Sequence, residues 1–249
     1  MLRSLFFLLG AASWSCATPA PIPIEKPHER IIRERRVGND LSSQLEVELK
    51  IKKAEGIEKF LSELALRLAS FDSELKEITI QVVVIDSYQK KWKSFSLPGG
   101  RIYLPLGLLK KIEYDNEAAA LVAFELSHLK KRNLVKRLEA IESEKQSART
   151  LPNLFGSQGL FTYDDETLSM TSGGAVELLY SAGFDSRGLV SLLKRFEQNE
   201  AHSPFEKETL EHMLEQTRLE IAQRTPLRNP IVRTLDFQVF KKQLAKIRD

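Results

Sequence analysis

Apolar residues recur at helical spacing in one early segment of the chain and alternate in the segment after it. One face of the helix predicted over residues 54–70 carries Ile57, Leu61, Leu64 and Leu68. β-Branched residues then recur at a period of two, which predicts a strand from about Glu77 to Asp86. We expect the helix to pack on the sheet that contains this strand.

A hairpin and a series of helices follow in the pattern. Residues 92–97 and 101–104 have the composition of strands, and the segment Pro98-Gly99-Gly100 between them supplies turn conformations that other residues avoid. Beyond residue 104 we predict helices over residues 105–112, 116–131, 131–147, 166–181, 186–198, 204–223 and 235–247. Asp115 is expected to cap the second of these helices, because a carboxylate accepts from the free N–H groups at a helix start.

Length and composition restrict the class of protein. The 249 residues, of which 42% are hydrophobic, suffice for one ordinary globular domain or two small ones. A single cysteine excludes an internal disulfide framework, a cysteine-rich zinc module and an iron–sulfur cluster held by this chain alone. The formal net charge is only +3 and the charges are mixed along the chain, so we expect no nucleic-acid partner.

The first 16 residues are predicted to be an export signal. Arg3 precedes a short apolar run over residues 5–12, well below the ~20 residues needed to span a bilayer. Cys16 stands where a bacterial lipoprotein is cleaved and acylated, and cleavage after Ala17 is the alternative. Both routes predict export, to the bacterial periplasm or to an outer membrane that holds the protein through a lipid on Cys16. Residues 17–30 begin with a proline-rich stretch and are predicted to form a tether.

The end of the chain, residues 225–249, is predicted to be a basic helix and tail. From Arg224 to Asp249 there are seven Lys or Arg residues and two Asp residues. We expect a solvated closing helix here, and docking to a membrane surface or a partner is the alternative.

The helix predicted over residues 116–131 carries an incomplete metallopeptidase motif. The segment from Phe124 to His128 has the spacing of H-E-x-x-H, with phenylalanine at the first histidine position. In that motif two histidines four residues apart bind zinc from one helix face, and the glutamate acts as general base on zinc-bound water. Glu125 and His128 alone are weak evidence, because the spacing E-x-x-H often arises by chance.

Neighbouring motifs strengthen the metallopeptidase interpretation. Lys93 to Leu104 resembles a segment of the form N-A-F-x-x-P-G-G-x-I-x-V, and Gly107-Leu108-Leu109 follows it at the expected spacing. Downstream, residues 182–185 resemble A-G-[YF]-D, and residues 202–204 resemble T-H-P. The chain thus resembles the zinc metallopeptidases of family forty-eight, which include HtpX, BepA, the Oma proteases and the CaaX prenyl proteases. The resemblance implies an α+β, gluzincin-like metallopeptidase domain over residues 31–224, mostly helical with a small antiparallel sheet.

The resemblance also implies a third zinc ligand, which is replaced in this chain. In the family this ligand is a glutamate upstream of A-G-[YF]-D, and ungapped counting places it on Leu168. Because a catalytic zinc needs three protein ligands and a water, His128 alone is too little. We therefore expect no cofactor, with Phe124 and Leu168 at the lost-ligand positions and Glu125 and His128 as a vestigial base and ligand. The alternative is an active zinc site rearranged around His128, His202 and one of Glu166, Asp165 or Asp164.

These residues predict a catalytically inactive pseudopeptidase that binds peptides or acts as a scaffold for proteins in the cell envelope. In relatives the substrate lies beside the edge strand next to the metal-binding helix, which implies peptide binding along the hairpin by strand addition. The residues expected to contact the peptide are Ser96, Leu97, Pro98, Gly99 and Gly100. Unfolded proteins, envelope proteins and peptides are the expected partners. The alternative function is a zinc metalloendopeptidase that cleaves envelope proteins.

Overall fold

The computed structural model describes residues 26–86, 90–144 and 159–247. Cys16, the predicted signal and most of the predicted tether lie outside the described residues. Within these ranges the helices are α1 Pro27–Glu48, α2 Glu55–Ala69, α3 Leu106–Lys111, α4 Asp115–Lys130, α5 Asn133–Glu144, α6 Asp165–Ser181, α7 Arg187–Glu197, α8 Lys207–Ala222 and α9 Leu235–Leu244. The strands are β1 Gln81–Ile85, β2 Phe95–Leu97 and β3 Arg101–Pro105. None of these helices is long and apolar enough to cross a membrane.

The three strands form one sheet in the order β1-β3-β2. β2 and β3 pair antiparallel, with Ser96 opposite Ile102, whereas β1 and β3 pair in parallel, with Val83 opposite Tyr103. The α+β class is confirmed, but the expectation of an antiparallel sheet is wrong for β1. The chain reverses once between β1 and β2 and again in the hairpin turn, so β3 runs in the direction of β1 and lies beside it.

Helix α2 packs on β1, as the hydrophobic pattern predicted, and also covers its outer edge. The buried residues of α2 include all four of the predicted face, Ile57, Leu61, Leu64 and Leu68. Ser62 Oγ accepts from the Val82 N–H at 3.2 Å, and Glu58 Oε1 accepts from the Val84 N–H at 3.1 Å. These side chains pair the backbone donors that an edge strand otherwise exposes. β1 begins at Gln81, later than predicted, because Leu75–Glu77 forms a short 3₁₀ helix.

Helix α4 lies at the centre of the fold. Every residue from Asp115 to Leu129 is buried, and the helix contacts α2, α6, α7 and β2. Such a helix has no solvated face, and its run of alanines lets neighbouring helices approach closely. Asp115 does not cap the helix, contrary to expectation: it is the first helical residue, and its Oδ2 accepts from Thr234 Oγ1 at 2.5 Å.

Helix α1 was not predicted, and it begins at Pro27, inside the range assigned to the tether. Its inner face covers the hairpin turn. A Cβ atom on Gly38 would lie 1.8 Å from the Pro98 carbonyl oxygen, and Gly99, at φ +85°, packs against the backbone of Arg35. The first helix is therefore part of the folded domain.

Helix α9 is also part of the domain rather than a solvated tail. Its buried residues are Phe237, Phe240 and Leu244, and all three belong to the main hydrophobic core. The Phe240 ring stacks on Phe60 of α2 with 4.6 Å between ring centroids. The expectation of a separate, solvated closing helix is wrong, because one face of α9 is apolar and completes the core beside α2.

Candidate functional site

The four residues at the degenerate motif and at the predicted third-ligand position meet in one cavity of about 540 Å³. Phe124, Glu125 and His128 reach it from α4, and Leu168 reaches it from α6. The two helices pack closely, since a Cβ atom on Gly174 would lie only 2.3 Å from Ser127 Oγ. The structure therefore brings Leu168 to the same cavity as the motif residues.

Glu125 lies at the floor of the cavity and is only 2% exposed. Its Oε1 accepts from Ser94 Oγ at 2.6 Å, while no donor among the described residues reaches its Oε2. Burial raises the pKa of Glu125 from 4.5 to about 7, although the Ser94 hydrogen bond and the charge of Lys93 oppose this shift. Glu125 is thus a buried carboxyl group with one unused oxygen and a pKa close to neutrality.

Lys93 and Tyr163 also line the cavity, and both respond to the low polarity of the site. Burial lowers the pKa of Lys93, and the negative charge of Glu125 partly opposes that effect. Burial, together with the charge of Glu125, raises the pKa of Tyr163. Lys93 is therefore the positive charge that faces Glu125, and Tyr163 remains a neutral phenol.

His128 is enclosed by aromatic rings and fixed by an amide. Phe124 contacts it edge to face at 4.9 Å between ring centroids, and Tyr163 stacks on it at 4.6 Å. Nδ2 of Asn133 donates to His128 Nδ1 at 2.8 Å and to Thr171 Oγ1 at 2.9 Å. Because the amide nitrogen only donates, Nδ1 is an acceptor and the ring proton of neutral His128 sits on Nε2. Burial lowers the pKa of His128 to about 3, so the ring is neutral.

The residues proposed for a rearranged metal site do not converge on His128. His202 stacks on Trp92, with 4.8 Å between ring centroids, and its Nδ1 lies 2.6 Å from the Lys90 carbonyl oxygen. Glu166 is exposed, whereas Asp164 accepts from the Thr167 N–H and caps α6. Asp165 accepts from Thr209 Oγ1 at 2.6 Å. The alternative ligand set is therefore not assembled in this structure.

Of the residues predicted to contact a peptide, only Ser96 lines the cavity. Ser96 Oγ donates to the Glu125 carbonyl oxygen at 3.2 Å, and Leu97 is fully buried. Pro98 and Gly99 contact α1 instead, since the backbone of Pro98 leaves no room for a Cβ atom on Gly38 and Gly99 packs against Arg35. The expectation of peptide contact at the turn is contradicted, because α1 covers it. The partly accessible cavity wall next to β2 is formed by Lys91, Lys93 and Ser94.

Several site residues were not found from the sequence. Ser94 alternates with Phe95 in the same way as Ser96, so strand periodicity could have placed both serines on the face of Glu125. Asn133 and Thr171 occupy positions of the family pattern that are not ligands, and Tyr163 lies in a loop, so no sequence signal connects the three with His128. Their contacts with His128 depend on how α4, α5 and α6 pack.

Comparison with known families gives a match to the description Peptidase family M48 over residues 52–162. The match covers α2, the sheet and α4, including Phe124, Glu125 and His128. Over these residues, a little under half of its length, the chain is similar to peptidase family M48. The protein is therefore metallopeptidase-like, and Leu168 lies beyond the matched range. No curated protein matches the chain significantly.

Peptidases of family M48 depend on zinc, so the donor set of this chain can be tested for fit. A catalytic zinc takes three protein ligands, but the positions predicted for two of them hold the phenyl ring of Phe124 and the alkyl chain of Leu168, both in the cavity wall. The one remaining imidazole, His128, presents a protonated Nε2 and a hydrogen-bonded Nδ1. Within the described residues no group of three or more His, Cys, Asp or Glu side chains could hold a metal ion. The residues present do not fit a catalytic zinc.

Proposed function

We propose that this metallopeptidase-like protein is a catalytically inactive pseudopeptidase that is exported and binds peptides in the cell envelope. The observation that carries the proposal is the replacement of two donors by Phe124 and Leu168 around the single imidazole of His128. Apolar side chains at these positions lose no hydrogen bonds when they are buried, whereas unpaired polar ligands there would be costly to bury. The site is thus better suited to bind an apolar group than a metal ion.

The cavity has the composition of a binding site. Apolar side chains form most of its wall, and three of its polar residues, Lys93, Ser94 and Glu125, lie close together. Sites of this kind bind apolar groups and orient them through a few polar contacts. An extended peptide that passes along Lys91–Ser94 could insert an apolar side chain into the cavity. Binding of this type needs backbone contacts and burial, with no bond cleavage.

The envelope location is supported by the first 30 residues. Their short apolar run, the position of Cys16 and the proline-rich stretch together have the pattern of an exported and tethered protein. Such a protein would meet unfolded or partly folded envelope proteins, which expose apolar side chains. A scaffold role uses the same surface with a fixed partner.

Peptide capture by a matched pair of variants tests the proposal. Phe205 lines the cavity, whereas Phe71 is an exposed phenylalanine outside it. Phe205→Glu introduces a charge into the cavity and should abolish binding of a fluorescent, unfolded apolar peptide, while Phe71→Glu should leave binding unchanged. Thermal unfolding would verify that both variants fold. Equal binding by the two variants, or no binding by the unmodified protein, would refute the proposal.

The alternative function is a zinc metalloendopeptidase with a rearranged ligand set, which would require His202 and an acidic residue of α6 to leave their present contacts and approach His128. It draws on Glu125, whose pKa of about 7 suits a general base. Cleavage of an unfolded protein that is lost in Glu125→Gln and on addition of a chelator would establish this function instead.

A further inference from the structure

We propose that the cavity binds an indole group, with its N–H donating to Oε2 of Glu125. The indole is either a tryptophan side chain of a bound peptide, in which case the inference rests on the proposed function, or a free indole compound. The shared chemistry is a flat apolar ring system with one hydrogen-bond donor and no acceptor.

The unpaired oxygen of Glu125 defines the polar requirement. Glu125 is 2% exposed and lines the cavity, and its Oε1 is already paired with Ser94. Oε2 has no donor within the described part of the chain. A buried polar atom without a partner is destabilising, so a ligand that supplies a donor gains the free energy of that missing bond.

The cavity walls define the apolar requirement. Aromatic rings contribute a large share of the wall, namely Phe95, Phe124, Phe161, Tyr163, Phe196 and Phe205. Phe205 lies edge to face with Phe124 at 6.3 Å and with Phe196 at 5.5 Å between ring centroids. Aromatic pairs in such offset or edge-on arrangements attract one another beyond the area that they bury. A planar aromatic ligand therefore fits these walls better than an aliphatic chain does.

Charge excludes two other classes of ligand group. An ammonium group would be repelled by Lys93, which already supplies a positive charge beside Glu125. A carboxylate would be repelled by Glu125 itself. The ligand that suits Oε2 is therefore neutral, and its donor belongs to an otherwise apolar group.

The absence of an acceptor distinguishes indole from the remaining neutral donors. A primary amide or a phenol also brings oxygen lone pairs, which lose their water on entry and then compete with Glu125 for the Lys93 ammonium group. An indole has a single N–H and leaves no acceptor unpaired. The geometry thus ranks indole above phenol and both above a benzyl group.

Titration calorimetry of the mature protein with indole and with 1-methylindole, at a pH of about 8.5 where the Glu125 carboxyl group is ionised, tests the inference. The two probes have nearly the same ring system, but only indole can donate. We expect indole to bind at least about tenfold more tightly, the effect of a hydrogen bond to a carboxylate. Glu125→Leu should remove this preference, whereas Glu206→Leu, a change of another glutamate that lines the cavity, should retain it. If Glu125→Leu does not fold, Glu125→Met replaces it.

Three outcomes are informative. Equal affinity of the unmodified protein for the two probes, or a preference that persists without the Glu125 carboxylate, would overturn the inference while peptide capture could still succeed. Preference for indole together with tight binding of a tryptophan peptide, and weak binding of the same peptide with phenylalanine, would support the peptide source. Preference for indole without any peptide capture would support the free compound and refute the proposed function alone.

Discussion

The side-chain amide of Asn133 donates to Nδ1 of His128 over a distance of 2.8 Å. The same amide nitrogen donates to Thr171, so both of its hydrogens are used and Nδ1 of His128 must accept. A histidine that binds a metal through Nε2 has the opposite arrangement, with Nδ1–H donating to a carboxylate or a carbonyl group. The surroundings of His128 therefore favour a donor at Nε2 rather than a metal ligand.

This arrangement predicts that restoring the two lost ligands alone gives a weak zinc site. In the Phe124→His, Leu168→Glu double variant, adding Asn133→Asp should raise zinc affinity by about tenfold or more, because the carboxylate accepts from Nδ1–H and frees Nε2. Competition with a fluorescent chelator measures the affinity. Asn133→Asp in the unmodified protein is the control and should bind no zinc. Equal affinity of the double and triple variants would refute the role assigned to Asn133.

The buried carboxyl group of Glu125 predicts a pH-dependent loss of stability. Its pKa rises from 4.5 to about 7 on folding, so between these values the folded protein holds a proton that the unfolded chain has released. The free energy of unfolding therefore decreases as the pH rises through this window. Glu125→Gln should stabilise the protein by roughly 3 kcal/mol at pH 8 and by little at pH 4. Urea unfolding of both proteins at both pH values measures this effect. The same difference in the free energy of unfolding at pH 4 and pH 8 would contradict the account.

His128 predicts an opposite dependence at lower pH. Burial lowers its pKa from 6.5 to about 3, so the unfolded chain binds a proton that the folded protein lacks. Stability therefore decreases as the pH falls from 6.5 towards 3. In the unmodified protein this slope opposes that of Glu125 between pH 4.5 and 6.5. In Glu125→Gln it should be visible as a steady loss of stability on acidification, and a flat profile would contradict the assignment.

The contact between α1 and the hairpin turn predicts that Gly38 tolerates no side chain. A Cβ atom there would lie 1.8 Å from the Pro98 carbonyl oxygen, so Gly38→Ala should destabilise the protein by about 1–3 kcal/mol. Gly56→Ala is the matched control, because the atoms nearest to its Cβ would belong to the side-chain amide of Gln243, which can rotate away. This control should be neutral or stabilise by up to about 1 kcal/mol. Urea unfolding compares the two, and an undiminished stability of Gly38→Ala would show that α1 does not pack on the turn.

Helix α9 predicts a large difference between two adjacent residues. Phe240 is 1% exposed and stacks on Phe60, so Phe240→Ala should destabilise the protein by about 3–5 kcal/mol. Val239 is 53% exposed, and Val239→Ala should change the stability by less than about 0.5 kcal/mol. Similar melting temperatures for both variants would mean that α9 is a detachable tail.

Elements with regular hydrophobic spacing could be predicted from the sequence. The buried face of α2 and the glycine turn of the hairpin follow local rules. Counting back from the A-G-[YF]-D motif selected Leu168, which lies in the same cavity as Phe124. Helix α1 could not be predicted from hydrophobic spacing because its buried face includes Glu34 and Gly38. Glu34 is buried by pairing with Arg132 at 2.6 Å, and Gly38 by a close backbone contact. Neither contact leaves a hydrophobic signal in the sequence.

Features that depend on distant partners could not be predicted. The parallel pairing of β1 with β3 follows from which strand of the hairpin lies next to β1, and strand composition does not specify it. The tautomer of His128 depends on Asn133 and Thr171, which come from two other helices. The contact of Glu125 with Ser94 likewise depends on how β2 packs against α4. Residue type identified the candidate chemistry, whereas packing determines which atoms remain unpaired.

The most direct test of a lapsed metal site is zinc stoichiometry. Elemental analysis of the mature protein, purified without chelators, would be compared with the same measurement on the Phe124→His, Leu168→Glu, Asn133→Asp variant. The account predicts no bound zinc in the unmodified protein and about one zinc per chain in the variant. About one zinc per chain in the unmodified protein would contradict the account and show that other residues of this chain bind the metal.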